Sequence, residues 1–152
     1  MWKTVAEGLV AGLWFGILGF CCAHVIVRDA QGEGWEVFPG CAGTAGFVTG
    51  FSSWWLILAG PGVHTIARGL SAGAVVGLLS HPFAWYFMIV ANYVSGTKPV
   101  GDEALDPLTG LGGAVIFSIG SWACVGWLTL PVGAIAGAAL TPLLKWSFRS
   151  GT

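Results

Sequence analysis

Two histidines lie inside long apolar stretches of this chain, His24 and His81, and they are the residues best suited to chemistry. A neutral imidazole buried in an apolar setting can ligate a haem iron or a chlorophyll magnesium, hydrogen-bond to a neighbouring helix, or line a permeation path. Asn92 stands eleven residues beyond His81, close to three helical turns, and so shares its face. His81 falls near the middle of its apolar stretch. His24 falls about eight residues past the middle of its own, about 12 Å away along a helix axis at 1.5 Å per residue. That offset argues against one haem clamped by both within a monomer. His81 alone, or the pair acting across subunits, remains open. The structural alternative is that His81 bonds across helices beside Pro82, satisfying a carbonyl that the proline leaves free. His64, beside Arg68 in a short turn, is expected to meet lipid headgroups.

Other chemistries find little support. Hydroxyls are present at Ser52, Ser53, Ser80, Ser118 and Ser121, but no spacing suggests a nucleophile, base and acid set. No glycine-rich stretch has the strand–glycine–lysine context of a phosphate loop. Cys21, Cys22, Cys41 and Cys124 form no CxxC pair and read as small apolar fillers. No Asp, Glu, Lys or Arg lies deep in an apolar stretch, which weakens proton-pump, ion-exchanger and charged-substrate readings.

The elements that must position His81 follow from composition. Of 152 residues, 55% are hydrophobic and only 9% charged, against about 25% charged in an ordinary soluble domain. The mean hydropathy of +0.80 agrees. So little charge cannot cover a globular surface, and the expected solvent is a lipid bilayer. A net charge of −1 with no basic stripe excludes nucleic acid as a partner.

Four apolar segments are long enough to cross a hydrocarbon core about 30 Å thick: residues 5–27, 40–59, 69–94, and one that begins near 110. The first is too long for a signal-peptide core and lacks a small-residue cleavage site, so it reads as a retained helix. The last stays apolar almost to Trp146. It is expected to cross over 110–130 and then to continue as a Pro-kinked extension, 131–148, leaving the membrane or lying on its surface. The fold expected is therefore an all-α integral membrane protein, a single four-helix transmembrane bundle with that C-terminal extension. Four of the six basic residues, Lys3, Arg68, Lys145 and Arg149, fall on one side of such a bundle, which places both termini in the cytoplasm by the positive-inside rule. Trp2, Trp35 and Trp146 fall where interfacial anchors belong.

Glycine recurs every fourth residue in two of these segments, at Gly8, Gly12 and Gly16 and again at Gly69, Gly73 and Gly77. Each ladder makes a flat groove in which a second helix can approach closely, the packing device of membrane helices. Gly8 to Gly19 aligns with Gly69 to Ser80 at an offset of 61. At an offset of 70, Gly40, Gly43, Phe47 and Gly50 match Gly110, Gly113, Phe117 and Gly120, as a duplicated helical hairpin would require.

Three functional readings follow. The first is a non-catalytic accessory subunit packing through its glycine-zipper faces into a homo-oligomer or a larger respiratory, photosynthetic or transport complex. The second is a channel or carrier for a small neutral solute, lined by His81, Asn92 and hydroxyls. The third is a haem- or pigment-binding membrane protein using His81. The first two need no cofactor, and none of the three needs a metal site built from protein ligands alone.

Overall fold

The computed structural model describes residues 2–29, 35–96 and 105–149. Among these the secondary structure is helical, with no strand. The helices are α1 (Trp2–Val27), α2 (Phe38–Trp54), α3 (Ile66–Ser95), α4 (Thr109–Ser121) and α5 (Trp127–Arg149). Five-residue π-helical segments extend α2 over Trp55–Ala59 and join α4 to α5 over Trp122–Gly126. Four continuous helical stretches are long and apolar enough to cross a membrane, the last spanning Thr109–Ser147.

Local chemistry explains the boundaries. Pro39 sits in the first turn of α2, where its missing N–H costs nothing. Gly62, with φ +69°, turns the chain back after α2. The Thr65 hydroxyl then caps α3 by accepting from the Arg68 N–H at 3.3 Å. Gly96, with φ +70°, ends α3 in the left-handed conformation that glycine adopts freely. Asp106 opens α4: its carboxylate accepts from the N–H groups of Leu108 and Thr109 and from the Thr109 hydroxyl. Those bonds favour the ionised form and hold its pKa below the usual aspartate value, the Thr109 hydroxyl contributing most.

The glycine ladders decide how the helices pair. Along α1, Gly8 faces the Phe51 ring, Gly12 faces Phe47, and Gly16 faces the Gly43 carbonyl, so each step up α1 is a step down α2. Along α3, Gly69 faces Gly137 and Thr141, Gly73 faces Gly133, and Gly77 faces Thr129. Both pairs are antiparallel. The second is the tighter: a Cβ at Gly73 would collide with the Gly133 carbonyl oxygen, and one at Gly77 would lie 2.6 Å from that of Thr129. A core of Ala11, Phe15, Trp54, Leu58, Val76 and Leu140 joins the two pairs.

This pairing departs from the sequence alignment. The partners Gly43, Phe47 and Phe51 correspond by position to Thr129, Gly133 and Gly137, an offset of 86 rather than 70. The residues matched at 70 do other things. Gly110 packs on Ile89, and nothing lies within 4 Å of a Cβ built on Gly120. The two hairpins are alike in how their grooves close, not in which residues close them.

The last stretch also differs from the expected crossing plus extension. Residues 131–147 remain in the bundle, packed along α3, with Ala136, Leu140, Thr141 and Leu144 buried. Pro131 and Pro142 are carried within α5, and the irregularity lies earlier, at Trp122–Gly126. Contour lengths show why one is needed. From Gly69 to Ile89, α3 covers about 30 Å, while the stretch facing it, Gly137 back to Gly110, has about 40 Å of helix. The excess has to be taken up between Gly110 and Thr129, the stretch that holds the π-helical segment, here termed the bow.

Candidate functional site in the bow of the last helix

The bow is organised around His81 and Pro82. Proline has no N–H, so the Leu78 carbonyl, four residues earlier, has no partner within its own helix. Trp122 Nε1–H donates to that carbonyl at 3.1 Å. Trp122, not His81, thus fills the role that the sequence assigned to the histidine. The His81 imidazole instead bridges the bow: its Nδ1 lies 2.7 Å from Ser121 Oγ, and its Nε2 lies 2.9 Å from Thr129 Oγ1. Eight residues of helix thus separate the two hydroxyls that bracket one ring. The Trp122 ring stands edge-on to the same imidazole, with centroids 6.3 Å apart.

What the bow leaves open is a cavity of about 570 Å³. Small side chains make the room: Gly19, Ala23, Ala42, Ala84 and Gly120 all line it. One end is aromatic. The Trp85 ring packs against Trp35, Phe38 and Phe117, with centroids 6.1, 5.3 and 5.2 Å away. His81, Ser121 and Thr129 line it too and form a connected polar group. Among the described lining residues there is no Asp, Glu, Lys or Arg. Its volume lies in the range of small-molecule sites, and an apolar wall with a few convergent polar atoms is their usual composition.

The other residues singled out from the sequence lie elsewhere. Asn92 is buried on α3, its Oδ1 without a partner among the described residues, but it does not line the cavity. His24 is exposed on α1, its ring stacked on Phe20 at 6.2 Å, and is likewise outside the cavity. A ligating imidazole needs a free ring nitrogen. Both nitrogens of His81 face hydroxyls, so a haem or chlorophyll would have to displace one of them. Among the described residues no cluster of three or more His, Cys, Asp or Glu could hold a metal ion. All four cysteines are free. Only Cys41 is buried as an apolar filler would be; Cys21, Cys22 and Cys124 are exposed. Both glycine grooves are filled by other helices of the same chain.

A second polar cluster was not apparent from the sequence. Glu7, within the first apolar stretch, is buried, and its carboxylate lies 2.7 Å from His64 Nε2. His64 therefore meets a carboxylate on α1 rather than headgroups alone. Beside it, Arg68 donates to the Ile57 carbonyl at 3.0 Å, inside the π-helical segment where the regular bonding ladder is broken. Glu7 stands immediately before Gly8, and that adjacency to the groove is the signal that marks it for burial. The Glu7–His64 contact pins the α2–α3 turn to α1, and Arg68 ties the start of α3 to the end of the α2 stretch.

No protein-family model, no curated protein and no solved structure matches this chain.

Proposed function

We propose that the chain is a multi-pass membrane protein, with both termini cytoplasmic, that binds a small neutral and largely apolar ligand beside His81. The observation that carries this reading is the cavity of about 570 Å³, whose described lining residues carry no charge and whose wall holds one connected polar group, His81, Ser121 and Thr129. The bow costs packing that a straight helix would make, since an unfilled volume forfeits dispersion contacts. Binding a ligand would restore them. The lack of charged lining groups favours a neutral ligand, because a buried ion without a partner is costly. Carriage of that ligand across or within the bilayer is the activity most consistent with such a site.

Assembly as an accessory subunit through the glycine faces has less to support it, because both grooves are occupied within the chain. A pigment-binding role has less as well, given the engaged imidazole.

The test is a cavity-filling substitution. Gly120 lines the cavity, and a Cβ there would meet nothing within 4 Å, so Gly120→Phe should fill space without displacing a helix. The protein in detergent should gain thermal stability from neutral apolar compounds, and Gly120→Phe should abolish that gain while leaving the ligand-free melting temperature unchanged or higher. A library of such compounds that leaves the unsubstituted protein's melting temperature unmoved would sink the proposal.

A further inference from the structure

We infer that the ligand is an apolar alcohol that enters sideways from the bilayer between α1 and α4 and donates its hydroxyl hydrogen to Ser121 Oγ. This rests on the binding role proposed for the cavity and deepens it.

The route follows from which helices line the opening. α1 and α4 are not a packed pair, although both contribute walls to the cavity. Cys22 and Ile26 from α1 line it together with Ile116, Gly120 and Cys124 from the last helical stretch, and all five are exposed. Ile26 is 50% exposed and Ile116 69%. A mouth edged by exposed isoleucine, with no charged side chain among its described lining residues, is unsuited to water and suited to acyl chains. It lies along the Gly19–Val27 part of α1, toward the end of the bundle opposite the chain termini. In the proposed orientation that is the outer leaflet.

The head group follows from accounting for every hydrogen of the polar group. Thr129 has a second acceptor within reach, the Gly126 carbonyl at 3.4 Å. Ser121 Oγ has no partner but His81 among the described residues. One arrangement uses all three hydrogens: Ser121 O–H donates to His81 Nδ1, His81 Nε2–H donates to Thr129 Oγ1, and Thr129 O–H donates to the Gly126 carbonyl. The opposite tautomer strands the Ser121 hydrogen without an acceptor among the described residues, which is unfavourable away from water. In the satisfied arrangement Ser121 Oγ keeps two unused lone pairs on the cavity wall. A ligand that completes them must donate. At Ser121 a hydroxyl does so, and a ketone or an alkane of the same size does not; the unpartnered Nε1–H of Trp85, also on the lining, has almost no accessible surface to offer a carbonyl.

Cys124 lines the same cavity and reports on occupancy. The full chain in phosphatidylcholine nanodiscs would be treated with N-ethylmaleimide and alkylation of Cys124 followed by mass spectrometry, with 1-decanol, 2-decanone, decane or glycerol present. At matched membrane content, 1-decanol should slow the alkylation with an affinity about fivefold above that of decanone or decane, the factor one net hydrogen bond supplies. Ser121→Ala should reduce decanol to the level of decane. The ligand comparison on the unsubstituted chain stands even if that variant misfolds. Equal protection by decanone and decanol would overturn the hydroxyl assignment. Protection by glycerol and not by decanol would overturn entry from the lipid while leaving cavity binding intact. Protection by none of the four would overturn both.

Discussion

Replacing Gly73 by alanine tests the packing of α3 on α5 directly. A Cβ there would collide with the Gly133 carbonyl oxygen and lie 2.7 Å from its carbon, whereas ordinary contact begins near 3.4 Å. The obstacle is backbone, so no side chain can turn aside. The fit is reciprocal: a Cβ on Gly133 would approach the Gly73 carbonyl oxygen at 2.5 Å, and Gly69 and Gly137 repeat the arrangement one turn away. Such close approach admits Cα–H···O contacts, each contributing about 0.5–1 kcal/mol. Forcing the helices apart should forfeit about four of them, some 2–4 kcal/mol, against which alanine regains about 1 kcal/mol of helix propensity. Gly73→Ala should therefore destabilise by about 1–3 kcal/mol, the usual range for overpacking. Two other glycines serve as internal comparisons. At Gly8 the obstacle is the edge of the Phe51 ring at 3.0 Å, which can rotate away, so alanine should be close to neutral. At Gly112 nothing lies within 4 Å, and alanine should stabilise by up to about 1 kcal/mol. Reversible unfolding in mixed micelles, followed by tryptophan fluorescence, would rank the three. If Gly73→Ala proved as stable as Gly112→Ala, the α3–α5 pairing would be wrong, and the groove would be free for a partner after all.

Three further outcomes follow from the polar contacts. Trp122→Phe should cost about 1–3 kcal/mol by stranding the Leu78 carbonyl; adding Pro82→Ala should recover part of the loss, because alanine supplies the missing N–H, and a double-mutant cycle measures the recovery. Glu7→Leu and His64→Leu should each destabilise more than the double variant predicts, with a coupling of about 1 kcal/mol or more in the same unfolding assay. Asp106 has a lowered pKa in the fold, so its contribution is full above the ordinary aspartate value of about 3.9 and is lost as pH falls through the folded value. Circular dichroism should therefore register fraying at the start of α4 in strong acid, and Asp106→Asn should remove that pH dependence.

The positions of the helices were legible because they depend on short-range properties. Apolar length, Pro39 at a helix start, Gly96 at a helix end and the paucity of charge each act within a few residues. The glycine ladders were legible as grooves for the same reason, since a missing side chain is a property of the residue itself. His81 could be picked out because ionisable groups in such stretches are few.

What fills each groove was not legible. Gly133, Gly137 and Thr129 became the partners of the second ladder because α5 stays in the bundle, a result of packing summed along two helices about 60 residues apart in sequence. The sequence match at Gly110–Gly120 is a pattern that the groove contacts do not follow, since those repeat at an offset of 86. The same long-range register placed Ser121 and Thr129 on either side of one imidazole and gave the Leu78 carbonyl to Trp122. Periodicity determines which face of a helix is flat or polar. Only the tertiary register, with α3 packed against Thr129 at one point and Gly110 at another, left the excess length between them, where the cavity lies.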